Sequence, residues 1–261
     1  MDPLITISAL IYANPRYAWN LWQMLRRTTP ELEDGRAEFF FVANDATAEV
    51  LWHLQSNGIP HVVQENPRLS EQELFELGIA RPEYVRRVYQ GWNRAIHEAR
   101  SKILVLLSSD HVMRDGWLDK LYKKWNPNLA LSTLTIEPPN SRGKIFGKHL
   151  GRGTGAVLGK HGRTISEFNE VSFNAHAADI ECEKITAGGA HQPTMFSVPA
   201  LLKAGLYPEG NIHAGTFEKI KECGDRRLFR LLAKNGVEHR TYHGTVAYHF
   251  QEGEMRDPER P

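Results

Sequence analysis

The chain has 261 residues, of which 41% are hydrophobic and 24% charged, and its formal net charge at pH 7 is +1. This composition is ordinary for a globular protein with a sizeable core, and it provides no overall electrostatic attraction to nucleic acid or to a membrane surface. Because no apolar run is long enough to span a bilayer and no basic segment precedes the first one, we expect neither a membrane span nor a signal peptide. The cysteines, Cys182 and Cys223, form no metal-type pair, and we expect them reduced and buried, as in a cytoplasmic protein.

The first half of the chain alternates predicted strands with predicted helices. The strands are four apolar segments, Leu4 to Ile11, Phe39 to Val42, Ile59 to Gln64 and Ile103 to Leu107. The helix after the first strand is expected to begin with Asn14 as N-cap and Pro15 as its first residue. This alternation implies parallel strand pairing with right-handed crossovers. The sequence therefore predicts an α/β fold with a mostly parallel sheet flanked by helices.

Acidic residues follow two of these strands. Asp45 comes after the second strand, and Asp110 comes after the central strand, whose five aliphatic residues predict burial on both faces. Ligands bind at the carboxyl edge of open α/β sheets, so both are candidate binding residues, with turn or capping roles as the alternative. No glycine cluster follows the first strand, which argues against a dinucleotide-binding domain.

The second half of the chain is less regular. One more strand is predicted from Leu129 to Ile136, and the segment from Gly143 to Gly162 is rich in glycine and basic residues. It is not a phosphate-binding P-loop, because Thr154 stands where a glycine is needed and His161 where a Ser or Thr is needed. We expect a flexible surface loop; the alternative is that it folds over an anionic ligand through Lys144, Lys148, Arg152, Lys160 and Arg163.

Three later residues are candidates for chemistry. Asp225 begins a strongly amphipathic helix, where N-capping alone would account for it. His191 follows a Gly-Gly pair and is the weaker candidate, for the lining of a substrate pocket. His249 lies between Tyr248 and Phe250 in a predicted final strand, where the alternative is a core histidine with satisfied hydrogen bonds.

In their order and spacing, these segments resemble the family 2 glycosyltransferases with the GT-A fold. The resemblance is strongest over Leu4 to Asp45, Gly91 to Leu121 and Gly205 to Glu252. It implies a single domain with a GT-A-type, Rossmann-like sheet. Residues 1–126 would form the nucleotide-sugar-binding half, and residues 127–261 the acceptor and catalytic half with a flexible loop at 143–163.

The resemblance also implies roles for individual residues. The donor nucleotide and its diphosphate are assigned to a group of residues in the first half: Ala13, Asn14, Asp45, Asn93, Ser108, Ser109 and Asp110. Asp110 keeps the second acid of the family's Asp-x-Asp motif, whereas Ser108 replaces the first acid, which weakens the expected metal affinity. Asp110 and His249 are the implied metal ligands, with His243 as the rival of His249, and Asp225 is the implied catalytic base.

The implied activity is transfer of a sugar from a nucleotide diphosphate donor to an acceptor hydroxyl. The resemblance favours a UDP-sugar, inversion at the anomeric carbon and assistance by Mn²⁺ or Mg²⁺. One alternative is a catalytically inactive sugar- or nucleotide-binding module, which Ser108 keeps open. Another is a nucleotidyltransferase that forms sugar nucleotides, disfavoured because no basic glycine-rich loop follows the first strand. The acceptor is left open among a glycan, a small molecule and a nucleic acid, and the oligomeric state is undetermined.

Overall fold

The computed structural model describes residues 3–139 and 155–250. Within these residues the chain forms twelve strands: β1 Ile5–Ile11, β2 Ala37–Asn44, β3 His61–Gln64, β4 Ile103–Ser108, β5 His111–Met113, β6 Leu129–Glu137, β7 Ala156–Leu158, β8 Ile185–Ala187, β9 Thr194–Ser197, β10 Ile212–His213, β11 Ile220–Glu222 and β12 Glu238–His249. The α-helices are α1 Pro15–Thr28, α2 Ala48–Ser56, α3 Glu71–Glu76, α4 Tyr84–Glu98, α5 Trp117–Lys124, α6 Glu170–Ile180, α7 Val198–Ala204 and α8 Gly224–Lys234. A short 3₁₀ helix covers Pro30–Leu32.

Ten of these strands form one mixed sheet in the order β3-β2-β1-β4-β9-β6-β12-β5, with β7 paired to β6 and β8 to β12. The first four strands of that order are parallel, as the alternation of strands and helices predicts. Strand β9 runs antiparallel between β4 and β6, with Thr194 opposite Leu106. The residues just before β9 therefore lie at the edge of the sheet where β1, β2 and β4 end.

Two hydrophobic cores cover the two faces of the sheet. Helices α1, α2, α5 and α6 pack on one face, and α4, α7 and α8 pack on the other. In β4, Val105 and Leu107 belong to the first core, whereas Leu104 and Leu106 belong to the second. Successive side chains of a strand point to opposite faces, so the aliphatic run of β4 is buried on both sides, as predicted.

Strand β12 pairs with β6 in parallel along most of its length, but the register shifts once. Tyr242 lies opposite Thr133 and Val246 lies opposite Leu134, so four steps along β12 correspond to one step along β6. The three extra residues, 243–245, form a bulge. Beyond it the strand continues to His249, which pairs with His111 of β5.

Several local expectations can be compared with the structure. Asn14 caps α1 and Pro15 is its first residue, as predicted. Strand β3 starts at His61, two residues later than expected. Cys182 is exposed and Cys223 half-buried, so the expectation that both cysteines are buried was wrong.

Two further expectations concern whole segments. In the described part of the chain, no helix combines the length and the apolar character that a membrane span requires. Residues 140–154, which hold most of the predicted basic loop with Lys144, Lys148 and Arg152, lie outside the described residues. The remainder of that segment contains β7, which extends the sheet beside β6.

Candidate functional site

The turn after β2 holds the first polar cluster at the carboxyl edge. Asp45 has a left-handed backbone with φ of 50°, and its carboxylate accepts hydrogen bonds from the backbone N–H of Asn66 at 2.8 Å and from its side-chain amide at 2.9 Å. The guanidinium of Arg87 lies 3.4 Å from the same carboxylate. Thr47, not Asp45, caps α2. The capping role considered for Asp45 was therefore wrong, whereas its turn position agrees with the other part of that alternative. Its carboxylate is fixed by a neighbouring loop and by α4.

The turn after β1 lies beside this cluster. The backbone carbonyl of Tyr12 accepts a hydrogen bond from the N–H of Thr47 at 3.0 Å, which ties the two turns together and places Ala13 near the start of α2. Asn14 is buried, and its side chain accepts from the N–H of Arg16. These turns bring Ala13, Asn14 and Asp45 to one part of the edge.

Asn93 occupies a different setting. Its side-chain amide donates to the carbonyl of Tyr207 at 3.0 Å and accepts from the N–H of the same residue at 2.9 Å. This pair of bonds joins α4 to the segment after α7. The structure thus gives Asn93 a role in joining two elements, in addition to the donor role that the resemblance implies.

The turn after β4 brings Asp110 to His249. Asp110 is buried, and its Oδ1 lies 3.4 Å from Nε2 of His249. The other ring nitrogen of His249, Nδ1, lies 3.3 Å from Oε1 of Glu137 at the end of β6. The ring of His249 also stacks on that of His111, with centroids 4.5 Å apart. Two residues that are distant in sequence are therefore joined, with Glu137 and His111 as partners that the sequence analysis missed.

Ser108 and Ser109 form the backbone of this turn. The N–H of Ser108 donates to Nδ1 of His111 at 2.9 Å, and Ser109 is buried. His243, the rival of His249, lies in the β12 bulge and contacts the hydroxyl of Thr186 at 3.0 Å. The geometry thus favours His249 as the histidine that accompanies Asp110.

The electrostatics of the Asp110–His249 pair oppose its burial. Burial alone would raise the pKa of the Asp110 carboxyl, but the charge of His249 and the contact with it lower this pKa below its usual value. Burial would likewise lower the pKa of His249, but Asp110 and then Glu137 raise it. Each group therefore stabilises the charged form of the other.

The residues around Asp110 fit a divalent cation in an open site. Glu137 is fully buried, and among the described residues its Oε2 has no hydrogen-bond partner, so one histidine stands between two buried carboxyl groups. A carboxylate behind the far nitrogen of a histidine is the usual support of a metal-binding imidazole. Residues 3–139 and 155–250 contain no group of three or more His, Cys, Asp or Glu arranged to hold a metal ion. A cation here would therefore need oxygen ligands from a substrate, as is common for Mg²⁺ sites that bind phosphates.

The start of α8 forms the third cluster. The N-cap is Cys223, and Asp225 lies in the first turn, so capping does not account for it. Oδ2 of Asp225 lies 3.3 Å from the hydroxyl of Tyr89, which in turn accepts from the N–H of Asp225 at 3.2 Å. Buried Asn211 accepts a hydrogen bond from the N–H of Gly224 at 3.1 Å. Tyr89 and Asn211, both missed in the sequence, thereby fix the position of Asp225.

His191 completes this third cluster. Its Nδ1 lies 3.2 Å from Oδ2 of Asp225, and the two side chains are 12% and 21% exposed. His191 precedes β9, at the sheet edge where β4 ends, so the structure places this pair at the edge that also carries Asp110. Both residues are candidates in the sequence, but no pattern in the sequence pairs them.

Neither a protein-family model nor a curated protein matches the chain, whereas many solved structures do. The mannosyltransferase PcManGT from Pyrobaculum calidifontis, solved with GDP-Man and Mn²⁺, has a TM-score of 0.57 and 11% identity over 100% of this chain and 59% of that chain. GalNAc-T7, solved with UDP, GalNAc and Mn²⁺, has a TM-score of 0.54 and 10% identity over 95% of this chain and 44% of that chain. TarS from S. aureus, residues 1–349, has a TM-score of 0.51 and 11% identity over 94% of this chain and 60% of that chain.

These three neighbours are glycosyltransferases of the GT-A fold, and at such low identity the likeness shows the fold alone. The predicted fold class is thereby confirmed: a curled, mostly parallel sheet flanked by helices, of the GT-A type. The chain spans between 44% and 60% of the length of these matched chains.

Proposed function

We propose that the protein is a glycosyltransferase that moves a sugar from a nucleotide diphosphate donor to an acceptor hydroxyl. The fold and its neighbours support a nucleotide-sugar-dependent transferase. Family 2-like chemistry, with inversion and a UDP-sugar as the favoured donor, is the more specific part of this proposal. Residues 1–126 would provide most of the donor side, and residues 127–261 most of the acceptor side.

The donor nucleotide is assigned to the turns after β1 and β2. Asp45 is held by Asn66 and Arg87 but remains 21% exposed, so its carboxylate is fixed in place and still within reach of a ribose hydroxyl. Arg87 adds a cation beside it. A fixed acceptor of hydrogen bonds at the carboxyl edge suits the neutral part of a nucleotide.

The diphosphate is assigned to the turn after β4. Asp110 and His249 would hold a divalent cation, and Glu137 would orient the ring of His249. A bound Mn²⁺ or Mg²⁺ supplies charge neutralisation for the departing diphosphate. The buried, unpartnered Oε2 of Glu137 beside this pair is the observation that carries the proposal, because it gives the described site an excess of acidic groups.

The acceptor is assigned to the Asp225 cluster. Asp225 supplies the negative charge that draws the proton from the acceptor hydroxyl, a contribution of about 10²–10⁴-fold in typical enzymes. Direct attack of that oxygen on the anomeric carbon displaces the diphosphate and inverts the centre. Because the base and the leaving group act from opposite sides, separate carboxylates serve the two tasks.

Thermal unfolding with UDP or GDP, with and without Mn²⁺, tests the donor site. A ligand at 100 times its Kd adds about 2.7 kcal/mol, which corresponds to about 5–10 °C in a chain of this size. We expect a shift with one nucleotide that requires Mn²⁺ and disappears in Asp110→Ala. Asp119→Ala, on the surface of α5 where Asp119 pairs with Lys123, is the matched control and should keep the shift.

The other outcomes are equally informative. A shift that is indifferent to Mn²⁺ would replace the proposal with a metal-independent enzyme or a binding module, and donor hydrolysis would distinguish these two. If the Mn²⁺-dependent shift persisted in Asp110→Ala, the cation would bind somewhere other than the turn after β4. No shift with either nucleotide would refute the donor assignment.

A further inference from the structure

The contact between His191 and Asp225 joins two groups that can exchange a proton. Nδ1 of His191 lies 3.2 Å from Oδ2 of Asp225, a close contact whose alignment does not make it a hydrogen bond in this structure. Catalytic hydrogen bonds are often long in a free enzyme and shorten when the substrate binds. Nδ1 is itself buried, although 12% of the side chain is exposed, so the exposed part of the ring lies on its other atoms.

The ring of His191 is held in place by its neighbours. It stacks on Phe229 of α8 with centroids 5.2 Å apart, and Phe229 stacks on His239 of β12 at 3.9 Å. The Nε2 of His239 contacts the hydroxyl of Ser132 at 2.9 Å and the carbonyl of Ala190 at 3.2 Å. The stack therefore fixes the imidazole, and His239 fixes the backbone that carries it.

The other titratable groups that face this pair come from four elements: Tyr89 of α4, Tyr207 after α7, Cys223 at the start of α8 and His239 of β12. Burial, and then the charge of Asp225, raise the pKa of both tyrosines. Burial, and then the proximity of His191, lower the pKa of His239 to about 3. The tyrosines and His239 are thus neutral near pH 7.

We propose that Asp225 acts through His191, whose Nε2 is the atom that takes the proton from the acceptor hydroxyl. This inference rests on the proposed transferase function. Asp225 would hold the Nδ1–H of the ring, which fixes the tautomer and stabilises the imidazolium, as carboxylates do in other histidine dyads. The acceptor O–H bond breaks and its proton goes to Nε2. The oxygen bonds to the anomeric carbon, and the bond from that carbon to the diphosphate breaks, with its electron pair leaving on the phosphate.

The pair is better suited to a base at neutral pH than a carboxylate alone. An ordinary aspartate has a pKa near 3.9, far below pH 7, whereas an ordinary histidine titrates near 6.5. A general base is most efficient when its pKa lies near the working pH. His191 and Asp225 lie within contact distance of each other, so the pair offers the acceptor hydroxyl an imidazole as well as a carboxylate.

Two substitutions separate this proposal from a role of His191 in positioning alone. In His191→Asn, the amide can replace Nδ1 as a donor to Asp225 but nothing replaces Nε2; His191→Ala removes both. Hydrolysis of UDP- and GDP-linked sugars, with water as the acceptor, is measured from pH 4 to 9. We expect both variants to lose about 10²–10⁴-fold in kcat, and the acidic limb of the wild-type pH profile to be absent from both.

The matched control is His97→Asn on the exposed face of α4, which should behave as wild type. Near-normal turnover in His191→Asn with loss only in His191→Ala would overturn the proposal, because positioning would then suffice. So would an acidic limb in His191→Asn that coincides with that of the wild type. If the wild type binds neither UDP nor GDP, the proposed function fails, and that result is separate from the pH profile.

A second measurement does not depend on turnover. Long-range ¹H–¹⁵N spectra of the ¹⁵N-histidine-labelled protein report which ring nitrogen carries the proton, and the signal absent from His191→Asn identifies His191. We expect the Nδ1–H tautomer in the wild type and its loss in Asp225→Asn. An Nε2–H tautomer in the wild type, or no change in Asp225→Asn, would refute the dyad.

Discussion

The carboxyl edge of the sheet carries two aspartate–histidine pairs that differ in their surroundings. Asp110 and His249 are joined at 3.4 Å, with side chains 7% and 16% exposed, and buried Glu137 lies behind the histidine. Asp225 and His191 are joined at 3.2 Å, with side chains 21% and 12% exposed, and their neighbours are tyrosines and aromatic rings. The same two residue types thus occur once beside a second buried carboxylate and once beside tyrosines and aromatic rings.

The different neighbours suit the two pairs to different tasks: the Asp110–His249 pair to binding a cation, and the Asp225–His191 pair to transferring a proton. Buried Glu137 beside Asp110 and His249 gives this site two carboxylates, and a divalent cation held there would take the place of the proton on His249. The tyrosines beside Asp225 and His191 carry no charge near pH 7, which suits this pair to exchanging a proton with a substrate. Three substitutions test whether the neighbouring groups cause this difference between the two pairs.

The largest effect is expected from Glu137→Gln, which removes a charge and keeps the shape. Loss of such a supporting carboxylate typically weakens metal affinity about 10–100-fold. Titration of Mn²⁺ in the presence of UDP or GDP measures it, and we expect nucleotide binding without metal to be unchanged. Glu38→Gln in β2, where Glu38 pairs with Arg100, is the control. Equal Mn²⁺ affinity in the wild type and in Glu137→Gln would show that Glu137 does not support cation binding.

An intermediate effect is expected from Gly224→Ala at the start of α8. An added Cβ would lie 2.1 Å from the ring of Tyr89, so the helix or the ring must move. Such overpacking costs about 1–3 kcal/mol, or about 2–12 °C in melting temperature. We also expect slower donor hydrolysis with Mn²⁺ binding intact, whereas Lys234→Ala at the exposed end of α8 should change neither. Coupled losses of hydrolysis and Mn²⁺ affinity would show that the two pairs are not independent.

The smallest effect is expected from Tyr89→Phe, which removes the hydroxyl beside Asp225. A lost hydrogen bond of this kind costs about 1 kcal/mol, or roughly fivefold in kcat. Steady-state hydrolysis of the sugar nucleotide measures it, with Tyr84→Phe on the exposed part of α4 as the control. A loss as large as that in Asp225→Asn would mean that the hydroxyl itself takes part in the proton transfer.

The sequence predicts those features that depend on local patterns. Burial of β4 on both faces, the cap of α1 at Asn14 and the position of Asp110 at the sheet edge all follow from short stretches of chain. The sequence leaves open that Asp225 is the N-cap of α8, but the N-cap is Cys223. The helix begins one residue before Asp225, at Gly224, where a side chain would clash with the ring of Tyr89.

The missed residues are those whose role depends on a distant partner. Tyr89 lies at the helical spacing of the apolar residues of α4, so the sequence pattern presents it as a core residue and gives no sign that its hydroxyl has a role. Its contact with Asp225 joins residues 136 positions apart. Glu137 is the last residue of a buried strand, where an acid is ordinarily a sign that the strand has ended. Its significance depends on His249, which only the pairing of β6 with β12 brings to it.

The bulge in β12 determines which side chain meets Asp110. Had the strand kept one register, Tyr242 opposite Thr133 would have placed residue 249 opposite residue 140, beyond the last residue of β6. The bulge instead brings His249 level with Glu137. If one residue of 243–245 were lost and the bulge still took up three residues, Phe250 would lie level with Glu137, and a benzyl group would replace the imidazole without any substitution. Relatives of this protein that differ by insertion or deletion in the bulge should therefore be aligned from the Asp110 contact backwards, since numbering from the start of the strand would assign the wrong ligand.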